Sequence, residues 1–102
     1  MRSRSRRATI REVLDTAIEL ERKTMQLYTA LVRTFKDTDE LRGFWFAMAR
    51  HEAGHCGALA LVESLIDSDP TLVGDHKVWF DDTTVARLRA LLTAYLKEAR
   101  RG

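Results

Sequence analysis

The chain has 102 residues, 45% of them hydrophobic and 31% charged, with five glycines and one proline, a make-up that fits one globular domain and excludes a collagen, a mucin or a multidomain enzyme. The net charge of +2 is uneven: residues 2–11 hold five of the 17 Lys and Arg and no acid, leaving 12 basic residues against 15 acids in the rest. The single cysteine, Cys56, can form no internal disulfide and no CxxC pair, which suits a reducing, cytoplasmic setting, and no apolar run approaches the roughly 20 residues that span a bilayer.

Residues 1–8 are few in apolar side chains and carry like charge, so a disordered basic arm is expected there. Nucleic acid is not expected among the partners. From Thr9 to Lys36 there is no Gly or Pro, and apolar residues recur at Ile10, Leu14, Ala17, Met25, Tyr28, Leu31 and Phe35, the three- and four-residue steps of one helical face. A second row at Val13, Leu20 and Leu27 widens that face enough for two neighbours. Asp37, Thr38 and Asp39 interrupt the pattern with turn chemistry, Asp39 being the expected cap of the next helix.

The second helix is expected from Glu40 to about Asp67, with Leu41, Phe44/Trp45, Met48, Leu59, Val62 and Ile66 in phase. Gly43, Gly54 and Gly57 weaken it by up to about 1 kcal/mol each relative to Ala, so they are expected to permit close backbone approach. Residues 67–81, containing Pro70 and Gly74, read as an irregular connection anchored by Val78, Trp79 and Phe80. Asp82 or Thr83 can cap a shorter third helix with Val85, Leu88, Leu91/Leu92, Tyr95 and Leu96 inward. No strand is expected anywhere.

Residues 9–102 therefore form one all-α domain, a long antiparallel hairpin plus a shorter C-terminal helix. The hairpin helices reach roughly 40 Å at 1.5 Å per residue, more than the third helix can cover. A chain this short buries only about 60 to 65% of its unfolded surface, so a homodimer or higher homo-oligomer, packing two hairpins into a four-helix bundle, is expected.

Polar residues interrupt the apolar stripes at matching heights. In helix one the stripe 10, 14, 17, 21, 25, 28 places Glu21 where a Leu would sit; in helix two the stripe 41, 45, 48, 52, 55, 59 places Glu52 and His55 there, one turn apart. With the turn near Asp37, the two carboxylates differ by about 1.5 Å along the axis. Unpaired buried carboxylates cost several kcal/mol each, and Arg22, Lys23 and Arg50 fall on other faces, so a metal is the simplest counter-charge. A twofold dimer raises the set to four Glu and two His, the count of a di-iron carboxylate centre with two ions per dimer. Such oxygen-rich ligation suits iron or manganese better than zinc.

The stretch AIELERKTMQLY from Ala17 to Tyr28, followed after the hairpin by EAGH from Glu52 to His55, resembles the ferritin-like superfamily, closest to rubrerythrins and half-length encapsulated ferritins. The resemblance covers residues 13–66. It implies iron ligation by Glu21, Glu52 and His55, Tyr28 as an aromatic beside the ligands, and oxidation of ferrous iron by oxygen or peroxide. The half-site that full-length rubrerythrins carry in one chain is missing here, which makes dimerisation necessary in this reading. The C-terminal stretch shows no Gly-Ser-Leu shell-targeting tail, so enclosure in a shell is not expected.

Two other readings compete. His51 to His55, HEAGH, is also an HExxH motif like the metal-binding helix of ATP-dependent membrane-anchored zinc proteases, with His51 and His55 as zinc ligands, Glu52 as general base and Asp75, His76 or Asp81 as third ligand. That reading leaves Glu21 unexplained. The other is a helical dimerisation module without metal, in which Glu21 and His55 are a polar pair that sets register, and Tyr28 is then simple packing.

Overall fold

The computed structural model describes residues 5–101 as β1 (Ser5–Thr9), α1 (Ile10–Thr34), α2 (Asp39–Ser68), a 3₁₀ turn (Pro70–Leu72), β2 (Lys77–Asp81) and α3 (Asp82–Arg101). The two long helices pack together as expected, and α1 also receives α3 along its other side, which accounts for its wide apolar face. Thr9 opens α1 with a capping box: the Glu12 amide donates to Thr9 Oγ1 at 3.1 Å and the Thr9 amide donates to Glu12 Oε1 at 3.4 Å. The cap of α2 is Thr38, one residue earlier than expected, and it makes no side-chain cap bond; Asp39 lies inside the first turn and pairs with Arg42. For α3 the capping carboxylate is Asp81, which accepts the Thr84 amide at 3.0 Å, in place of Asp82 or Thr83.

Two expectations are corrected by the sheet. Ser5–Thr9 pairs antiparallel with Lys77–Asp81, Arg7 opposite Trp79 and Ala8 opposite Val78, so residues 5–8 are ordered as a strand; residues 1–4 of the expected disordered arm lie outside the described residues. Ala8, 1% exposed, anchors the strand. Arg6 fixes it electrostatically, pairing with Glu12 at 2.9 Å and Asp82 at 2.7 Å while lying over the Phe80 ring. The arm's charge therefore ties β1 to the first turns of α1 and α3. Gly74, at φ +54°, supplies the left-handed residue that turns the chain from the 3₁₀ segment into β2.

The helices lie side by side in a layer measuring 50 × 37 × 16 Å, less than half as deep as it is wide. The radius of gyration is 16.4 Å, against about 13 Å for a compact domain of 100 residues. Only Ala8, Leu14, Ala49 and Ile66 are apolar and buried, and no large side chain among the described residues is fully enclosed. Leu41, Phe44, Val62 and Leu65 are exposed along α2, as are Leu88, Leu91 and Tyr95 along α3; of these, Leu41, Phe44 and Val62 were expected on the apolar stripe of the second helix, and Leu88, Leu91 and Tyr95 were expected to face inward. Leu27, Leu31, Trp45 and Tyr95 border an open apolar hollow where the three helices meet. The expected close approach at Gly43, Gly54 and Gly57 does not occur within the chain, since a Cβ at each would meet nothing within 4 Å.

Candidate metal centre

The four-residue connection Phe35–Thr38 reverses the chain without offset, so positions equally far from it on α1 and α2 stand at one height. Glu21, Glu52 and His55 come together there, with one ligand atom of each lying within 4.8 Å of the others. His55 Nδ1 is 3.8 Å from a Glu21 oxygen and 3.6 Å from a Glu52 oxygen, too long for a hydrogen bond. The three are close but not bonded to each other.

Their exposure is graded. The Glu52 side chain is 9% exposed, Glu21 33% and His55 50%, so the cluster is floored by Glu52 and opens outward at His55. Glu52 is the buried charged residue among those described, and its Oε1 has no hydrogen-bond partner. A buried unsatisfied acceptor costs about 1 to 3 kcal/mol, more when charged, and a cation between the carboxylates and the imidazole would satisfy it. Two carboxylates and one imidazole suit iron or manganese. They are also fewer donors than such an ion takes, so the fit is that of a half-site open on one side.

The other candidate residues are placed as follows. Tyr28 packs against Trp45 with ring centroids 5.7 Å apart, two turns along α1 from Glu21. Cys56 is half-buried beside Ile18, Arg22 and Leu59, turned away from the cluster. His51 is exposed, its ring 4.6 Å from that of His55; among the described residues none of Asp75, His76 and Asp81 joins these two histidines as a third ligand.

Glu19, two residues from Glu21, is taken out of contention by a partner that residue order did not reveal. Arg89 of α3 donates to both of its oxygens and holds its carboxyl below the ordinary value, against a smaller opposing effect of burial. Glu63 likewise faces Arg11 at 3.4 Å. Neither Glu21 nor Glu52 has an Arg or Lys partner among the salt bridges of the described residues; the basic group nearest to both is the His55 ring. No helix among the described residues is long and apolar enough to cross a membrane. In comparisons with protein-family models, with curated proteins and with solved structures, the chain matches none.

Proposed function

We propose that the protein is a di-iron carboxylate oxidoreductase of ferritin-like kind, which oxidises ferrous iron with oxygen or peroxide at a centre made of Glu21, Glu52 and His55 from each chain of a homodimer. The observation that carries this reading is the convergence of those three side chains around the unpartnered, buried Oε1 of Glu52. The thin layer and its exposed apolar side chains support the dimer. A second copy would supply both the missing ligands and the missing cover.

The residues divide the work by their exposure. Glu52, at the floor, offers an oxygen with no competing partner and would be the first to hold a cation. Glu21 would close the cluster from α1, and His55 would supply a nitrogen at the open side, where oxidant would arrive. Two bound ferrous ions would supply both electrons for peroxide: two Fe²⁺, one H₂O₂ and two protons would yield two Fe³⁺ and two waters. Tyr28, packed on Trp45, would be an aromatic flank along α1 two turns from Glu21.

Anaerobic titration with ferrous iron, combined with mass measurement in solution, tests the reading. Saturation at two ions per dimer, lost in Glu21→Ala and Glu52→Ala and kept in His51→Ala, is the expected result, with ferric formation on adding oxygen faster than in the Glu52→Ala control. A metal-loaded monomer, or no saturable binding, would refute it. Dimers that bind no metal would leave the polar-pair dimerisation module.

A further inference from the structure

His51 is the part of the HExxH stretch that the carboxylate cluster does not use. It lies one turn before His55 on α2, exposed like it, and the ring centroids stand 4.6 Å apart at an interplanar angle of 68°. An ion about 2.0 to 2.1 Å from one nitrogen of each ring, with an angle between them of roughly 90 to 110°, places the ring centres about 4.5 to 5.2 Å apart. The separation of the two ring centres falls within that range. Two imidazoles without a carboxylate select the nitrogen-preferring end of the divalent series, zinc and its neighbours.

His55 also faces the carboxylates through Nδ1. A neutral imidazole has one nitrogen with a free lone pair at a time, the other carrying the proton. The ring can therefore serve the cluster or the histidine pair, one cation at a time.

We propose that His51 and His55 form a second, solvent-facing site for a zinc-class divalent cation, completed by water, and that it shares His55 with the Glu21–Glu52 cluster so that the two sites fill alternately. Only the identity of the inner occupant rests on the iron reading; the outer pair stands on its own geometry.

The test starts from the double variant Glu21→Gln, Glu52→Gln, which keeps side-chain shape and removes the carboxylates. Titrated with zinc chloride and followed by calorimetry and by the imidazole signals in nuclear magnetic resonance, it binds one ion per chain and shifts the His51 and His55 rings together. Adding His51→Ala to that background weakens zinc binding by roughly 10-fold or more, since losing even an outer partner of a ligand costs that much. The wild-type chain saturates with zinc at one ion in total. No saturable binding by the double variant, or unchanged affinity after His51→Ala, overturns the outer site; two zinc ions on each wild-type chain overturn the sharing of His55. Wild-type protein that takes up no ferrous iron, while the double variant still binds zinc, overturns the iron reading alone.

Discussion

Glu52 concentrates the tension of the structure in one side chain. It is buried with an oxygen that nothing satisfies, so the metal-free protein carries a cost that the metal-bound one would not. Glu52→Leu is therefore expected to stabilise the metal-free protein by about 1 to 3 kcal/mol in chemical denaturation, and to abolish the rise in melting temperature that added ferrous iron gives the wild type. That rise corresponds to about 2.7 kcal/mol at a free ion concentration 100 times the Kd. A destabilised Glu52→Leu protein would mean that the carboxylate is held by something other than a cation. The convergence of Glu21, Glu52 and His55 was legible in the residue order, because an acid in an apolar helical stripe is anomalous and a short turn matches heights across a hairpin. The contrast between a buried Glu52 and a half-exposed His55 was not, since both occupy the same stripe.

At the scale of elements, helix periodicity located all three helices to within about two residues at the ends, the usual uncertainty of helix boundaries. The strands escaped it. β1 reads SRRAT, with Ala8 as its one inward apolar residue, and its partner begins more than sixty residues later in a run, Val78 to Phe80, too short to show alternation. Side-chain partners between helices were equally hidden, and the Glu19–Arg89 pair matters most because α3 packs chiefly on α1. The carboxyl of Glu19 titrates below its ordinary value of 4.5 through its hydrogen bonds to Arg89. A group whose folded value is depressed contributes stability above its unfolded value and loses it as pH falls through the folded one. Acidification below about pH 4.5 is thus expected to speed amide exchange in α3 ahead of the α1–α2 hairpin. Glu19→Gln should already show that faster α3 exchange at neutral pH; the pair is partly exposed and screened, so global unfolding should move little. Uniform exchange across the three helices would show that α3 is held by its apolar contacts instead.

The whole molecule is a layer with too little interior. A sheet of three helices 16 Å thick leaves apolar residues of α2 and α3 in water, a state that association relieves. Val62→Glu, two turns past His55 on α2 and 42% exposed, is expected to weaken a dimer by roughly 10-fold or more in sedimentation at micromolar concentration. Trp79→Glu, on β2 and 70% exposed, is expected to leave it intact. The reverse pattern would move the interface from the helical layer to the sheet. If the dimer forms as proposed, the melting temperature rises with protein concentration, as it does when folding and association are linked.

Pairing Ser5 with Asp81 also has a kinetic consequence. It joins stretches far apart in the sequence, so the sheet can close only after the intervening chain has folded back, against a loop-closure entropy that grows with the logarithm of the enclosed length. The α1–α2 hairpin contacts near the turn are local by comparison and form early. The sheet therefore closes after the hairpin, a clasp whose release frees the first turns of α1 and α3 together while the hairpin bearing Glu21, Glu52 and His55 stays shut.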